Sequence, residues 1–304
     1  MSATTFNISE RAMLAALNVR LWGAKTEDQE AARETEQRRG AKQGTYKTTK
    51  ILVDPKKCPE YAALCAVRSA ARQDYLRLTL AWIPGERIMP STTYFDLNAK
   101  IQEHKAKWVA ALDTFKRVYP ALKAQAKIDQ NGAYNESDWP DVDDLDRKCS
   151  IRIRIAPLAA PDDFRVQLGA EQEALIRKEH EQDLYSNIAS SILDLVARLR
   201  DTISESLERI GSYETDQQGK TVKTFRDSAV SNIRETVAIV RKLNFTGDTA
   251  IETVCAAIER SLLSHSAQEL RDNYVARGEA VAQGQEVLKA LGVMEDLFGQ
   301  QEEG

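Results

Sequence analysis

Leu184, Ile188, Ile192, Leu195, Leu199, Ile203, Leu207 and Ile210 recur at steps of four or three, and Asp183, Arg198, Asp201 and Glu205 occupy the faces between them. That period predicts an amphipathic helix over residues 171–210, closed by Gly211 just past its C-terminus. At 1.5 Å per residue it would span roughly 60 Å. The mean step, about 3.7 residues, predicts a straight or weakly right-handed helix rather than a leucine zipper. A stripe this long needs partner helices to cover it.

Other stretches read by the same rule. Residues 59–81 form a helix opened by Pro59, with Tyr61, Leu64, Ala71, Tyr75 and Leu78 on one side. Residues 92–128 form a second, with Leu97, Ile101, Trp108, Leu112, Phe115, Tyr119 and Leu122 as its stripe and Pro120 predicted to kink or split it. Residues 26–39 have helix-forming composition and end at Gly40. After a polar connection at 212–221, Phe225, Ala229, Ile233, Val237, Val240 and Leu243 mark another helix. Asp248 can cap the next, which carries Ile251, Val254, Ile258 and Leu262. Leu270, Tyr274, Val281, Leu288 and Leu291 suggest one more.

A period of two appears in three places. Leu17, Val19 and Leu21 alternate with Asn18, Arg20 and Trp22, preceded by helix-forming residues from Glu10, so a helix turning into a strand is expected. Ile151, Ile153 and Ile155 alternate with Arg152 and Arg154, and residues 164–168 alternate again. These strands predict a small antiparallel sheet. Residues 82–90 read as a turn bracketed by prolines. The expected fold is therefore mainly α, a bundle of long antiparallel helices with a small antiparallel β-element in the N-terminal half. Its expected parts are an α+β region at 1–170, the bundle at 171–291 and an acidic tail at 292–304.

Net charge is -4, so bulk charge points to neither nucleic acid nor membrane. Its distribution is uneven. Residues 36–57 hold seven Lys/Arg against two acids, and residues 136–146 hold six acids and no base. The basic run, with Arg38, Arg39, Lys42, Lys47 and Lys50 around the single aromatic Tyr46, is either a solvated loop or a phosphate-backbone contact. Arg152 and Arg154 read as a solvated strand face or a nucleic-acid contact. Asp141, Asp143, Asp144 and Asp146 lack the Gly and terminal Glu of an EF-hand and read as an exposed acidic loop. Cys58, Cys65, Cys149 and Cys255 form no C-x-x-C pair, and His104, His180 and His265 form no ligand pattern. No dinucleotide, P-loop, zinc-protease or nucleophile-elbow motif occurs, so no catalytic residue, metal or cofactor is expected. With no apolar run of 18 residues and no signal h-region, a cytoplasmic protein is expected. Leu297 and Phe298 stand among acids in the tail, either as a partner-docking peptide or folded back on the protein's own core.

Spaced signatures add a context. Residues 82–90 (Trp-Ile-Pro-Gly-Glu-Arg-Ile-Met-Pro), Trp139-Pro140, 161–166 (Pro-Asp-Asp-Phe-Arg-Val), Phe225-Arg226-Asp227-Ser228 with Asn232, and Leu243-Asn244 with Asp248 stand in that order. Together they resemble a family of proteins of unknown function from bacteriophages, plasmids and integrative elements. The resemblance covers about residues 12–265, with Ala81-Trp82 where that family has Pro-Trp. Its motifs are structural and bring no catalytic residues. It implies a gene neighbourhood with a MoxR/cobaltochelatase-type AAA+ ATPase and a von Willebrand A-domain protein. The function expected is a non-enzymatic adaptor or structural protein of such a system. The alternatives are a DNA-binding accessory of recombination or replication, and a homo-oligomeric structural protein.

Overall fold

The computed structural model describes residues 8–158, 170–215 and 221–299. It is mainly helical, with a small antiparallel sheet of four strands in the N-terminal half. In chain order the elements begin α1 (Ile8–Arg11), β1 (Ala12–Arg20), β2 (Lys25–Glu27), α2 (Gln29–Arg39), β3 (Thr49–Ile51) and α3 (Pro59–Arg77). Next come β4 (Leu80–Ile83), β5 (Glu86–Pro90), α4 (Tyr94–Gln130), α5 (Leu145–Lys148), β6 (Ser150–Pro157) and α6 (Ala170–Gly211). Last are β7 (Glu214–Thr215), β8 (Thr221–Lys223), α7 (Ser228–Leu243), α8 (Thr249–Ser261), α9 (Ala267–Asp272) and α10 (Tyr274–Gly299). The larger sheet runs β4-β5-β1-β6, and two-stranded ladders join β2 to β3 and β7 to β8. The alternation expected at 164–168 lies outside the described residues.

The chain folds as two compact units, each drawn from separated segments rather than from consecutive halves. The first takes Met1–Ala16, Leu76–Asp96 and Ile155–Gly304. Its axis is α6, which packs on α7 and α10, while α8 packs on both of those helices. The stripe read from the sequence is the buried one: Ile192, Leu195, Leu199, Ile203, Leu207 and Ile210 lie in the core with Ile233, Val237 and Val240 of α7, Ile258 of α8 and Leu291 of α10. Leu184 and Ile188 are only half-buried, and no described side chain of α6 before Ala189 is buried.

The second unit takes Leu17–Tyr75 and Leu97–Arg154. Tyr61 and Leu64 of α3 and Trp108, Leu112, Phe115 and Tyr119 of α4 form its core with Trp139, Leu145 and Ile151. Trp22 lies 5.6 Å from Tyr119 and 5.8 Å from Trp139, ring centroid to centroid, a spacing that favours tilted and edge-on aromatic contacts. Its acidic segment at 136–146 is partly neutralised by Lys50 of the basic run and by two lysines of α4. Lys50 pairs with Asp138 at 2.8 Å, Lys116 pairs with Asp146 at 2.7 Å, and Lys123 meets Glu136.

Several elements differ from the sequence expectation, each for a visible reason. The helix foreseen from Glu10 is one turn, and β1 starts at Ala12 because Ala12–Ala15 pair with Arg87–Pro90 of β5 and bury Ala12 and Ala15. Strand pairing there overrides the helix propensity of an alanine-rich stretch. Of the stretch expected as a turn, only Pro84 and Gly85 form the tip of the β4–β5 hairpin, with Gly85 at φ 89° supplying the left-handed residue, while residues 86–90 are β5 and pair with β1 and β4. The connection at 212–221 includes a short β7–β8 ladder. α4 passes through Pro120 as one helix, since Phe115 and Tyr119 before it and Ala126 after it are buried. The last helix is two: Asn273 ends α9, and its Oδ1 accepts from the Val275 and Ala276 N–H groups to cap α10. α10 then continues through Gly299 into the segment read as a tail.

Candidate functional site

The most elaborate polar arrangement in the first unit is built where α6 meets β4, an edge strand. Unpaired backbone groups on an edge need partners. Ser191 and Asp194, three residues apart and so on one helix face, supply them for Ala81. Ser191 Oγ donates to the Ala81 carbonyl at 2.6 Å, and the Ala81 N–H donates to Asp194 Oδ2 at 2.8 Å.

Asp194 is also the hub of two arginines. Arg87 of β5 donates Nη2 to Asp194 Oδ2 at 2.8 Å and Nε to Thr79 Oγ1 at 2.8 Å. Arg198, one turn further along α6, donates Nε to Asp194 Oδ1 at 2.9 Å. Its remaining N–H groups donate to the carbonyls of Leu76, Arg77 and Thr79 at 2.9, 3.0 and 2.6 Å. The terminal carbonyls of a helix lack partners of their own, so Arg198 caps α3 and fixes its end at Arg77, short of the expected Ala81. Burial pushes the Asp194 carboxyl upward, but hydrogen bonding and charge from Arg198, the Ala81 N–H and the Arg87 charge outweigh it. They hold it below the usual carboxylate range.

Beside this hub a cleft of about 770 Å³ opens between α6 and α7. Its walls include the Thr202 and Thr236 hydroxyls, which lie 3.2 Å apart, the apolar Leu76 and Ile239, and the carboxylates of Glu205 and Glu235. Charged side chains stand on both walls of the cleft. Nothing in the sequence marked it, because Arg198 read as part of an ordinary polar helix face and Arg87, the partner of Asp194, lies 107 residues from it.

The basic residues singled out from the sequence all fall in the second unit. Arg38 and Arg39 occupy the last turn of α2, where cations favour the helix dipole. Arg39 sits over the Tyr46 ring at 5.6 Å, and the Tyr46 N–H donates to the buried Glu36, so the only aromatic of the run is tied to α2. Lys50 is committed to Asp138 and to the Ala133 carbonyl. Arg38, Lys42, Lys47 and Arg152 are exposed with no ion-pair partner among the described residues, and Arg154 is also exposed. The tail pair divides: Phe298 packs against the core of the first unit, whereas Leu297 is 60% exposed.

Cys58, Cys149 and Cys255 are buried free thiols. Burial raises the first two and pushes Cys255 up to about 11, so all three are thiols rather than nucleophilic thiolates at neutral pH. Among the described residues no group of His, Cys, Asp and Glu is arranged to hold a metal ion, and no helix is long and apolar enough to cross a membrane. Comparison with protein-family models, with curated proteins and with solved structures finds no match to this chain.

Proposed function

We propose that this chain is a non-enzymatic adaptor or structural protein of a phage or mobile-element AAA+ system, working in the host cytoplasm beside a MoxR-type ATPase and a von Willebrand A-domain protein. The context rests on the spaced structural signatures. The observation that carries an adaptor role is the N-terminal part of α6. From residue 172 to 188 this helix has no buried side chain, and it presents Leu175 at 59% and Tyr185 at 72% exposure. An isolated helix without covering partners is marginal in water, so a segment of this kind gains stability from a protein that covers it. The open cleft between α6 and α7 offers a second contact surface in the same unit. A pull-down of the tagged chain with the neighbouring ATPase and A-domain protein tests the proposal. Retention of either at physiological salt is expected, and retention of neither overturns it.

A DNA-binding accessory role is the second reading, favoured by Arg38, Lys42, Lys47 and Arg152, which are exposed and have no ion-pair partner among the described residues. Binding through phosphates falls steeply with salt. A salt-dependent shift of single- or double-stranded DNA, lost on neutralising those four residues, would establish it. A homo-oligomer formed between the long helices is the third reading, decided by light scattering of the purified chain.

A further inference from the structure

We infer that the pocket between the end of α6 and the start of α7 binds a phosphate monoester. The pocket has a volume of about 320 Å³ and is lined by Arg209, Ser212, Thr224, Phe225, Arg226 and Ser228. Arg209, Arg226 and Ser228 bring two guanidinium side chains and a hydroxyl to one cavity that has no carboxylate in its lining among the described residues, while the Ser212 and Thr224 hydroxyls donate to the Arg209 and Phe225 carbonyls. The two guanidinium groups and the Ser228 hydroxyl are donors suited to a tetrahedral oxyanion.

The wall is held in place before any ligand arrives. Phe225 is buried, its ring lies 5.9 Å from Tyr213, and the Arg271 guanidinium sits 5.0 Å from its centroid. Arg271 also donates to the Phe225 carbonyl at 2.9 and 3.2 Å. That anchoring fixes Thr224 and Arg226, the residues on either side. Ser212 is fixed by donating Oγ to the Arg209 carbonyl at 3.0 Å.

The cations are available. Arg226 is exposed and has no ion-pair partner among the described residues. Arg209 pairs with Glu205, but both side chains are about half exposed (46% and 60%), and such solvated pairs are weak and readily exchanged. The start of α7 faces the same cavity through Ser228, and its dipole favours an anion there, although the side chains carry the assignment. The cavity is larger than inorganic phosphate alone would fill. A phosphoryl group with part of its ester, as on a nucleotide, therefore fits best, and inorganic phosphate is the weaker ligand.

The test uses the full chain in amide NMR titrations at constant ionic strength. The probes are inorganic phosphate, adenosine 5′-monophosphate and, as control, adenosine. Saturable shifts confined to Ser212 and residues 224–228 are expected with both phosphates and not with adenosine. Arg226→Gln should weaken the phosphates by about tenfold or more, as expected for loss of a charge-assisted hydrogen bond, and Arg226→Lys should weaken them less. Should Arg226→Gln fail to fold, Ser228→Ala carries the test with a smaller expected loss. Tighter binding of the nucleotide than of inorganic phosphate is expected, and equal or weaker binding of the nucleotide would overturn the monoester assignment. Shifts that rise linearly without saturation, equal binding of adenosine, or saturable binding untouched by both substitutions would overturn the inference.

Discussion

Asp194 shows how one residue can connect elements far apart in sequence. Its side chain is 21% exposed and carries Arg87, Arg198 and the Ala81 N–H. Asp194→Asn keeps the shape and removes the charge, leaving two arginines without their counterion. Breaking a largely buried pair is costly, and the partial exposure of this one reduces the loss to about 2 kcal/mol. The pH dependence follows from the direction of the shift. The carboxyl is lower in the folded chain than unfolded, so its contribution is complete above the ordinary carboxylate value and is lost as pH falls through the folded one. The melting temperatures of the parent and Asp194→Asn should therefore differ most near neutrality and converge below about pH 4. A gap that stays constant on acidification would contradict this role.

Helix packing sets the predictions at the scale of elements. Gly284 of α10 faces Leu207 of α6, and a Cβ there would lie 2.6 Å from Leu207 Cδ2 and 3.1 Å from its Cγ. Leu207 is itself buried, so it has little room to yield. The helix-propensity gain of alanine, about 0.5–1 kcal/mol, is outweighed by overpacking of about 1–3 kcal/mol. Gly284→Ala should lower the melting temperature. Gly278→Ala, on the exposed face of the same helix with nothing within 4 Å of the new Cβ, should raise it. Shifts of the same sign would place α10 wrongly. The end of α10 belongs to the fold for a related reason: Met294 is buried, Phe298 packs on the core, and Glu295 accepts from Arg200 at 2.6 Å. Removal of residues 295–304 should therefore lower the melting temperature by several degrees, about what 1 kcal/mol does in a domain of modest size. An unchanged melting curve would restore the reading of this stretch as a free docking peptide.

These elements were unequally legible in the sequence. The period of α6 shows plainly because nearly every residue that faces the core from Ile192 to Ile210 is Leu, Ile or Val. The Asp248 cap was legible because its side chain bonds locally, to the Ala250 and Ile251 N–H groups. β1 was half hidden, since Ala12 and Ala15 carry no strand signal and are placed by a partner at 87–90. The cleft and its hub were invisible, because Asp194, Arg87 and Thr79 come together only through the fold, and a charged residue on a helix looks the same whether it faces solvent or caps another element.

At the scale of the whole chain, each of the two units gathers segments that are distant in sequence. The first needs Met1–Ala16 and Leu76–Asp96 to join a helical assembly that begins more than 70 residues later. Long-range closure of this kind slows folding relative to a simple bundle. Within that unit the exposed beginning of α6 is the feature on which the proposed adaptor role stands. Double substitution of Leu175 and Tyr185 by Glu removes its apolar surface where neither side chain contributes to the core. The decisive measurement is a pull-down of the proposed partners, a MoxR-type ATPase and a von Willebrand A-domain protein, by the parent chain and by this variant, with melting curves of both. The account predicts that the parent retains a partner and that the variant loses it while melting within about 0.5 kcal/mol of the parent. Equal retention by the two, or no retention by either, would contradict it.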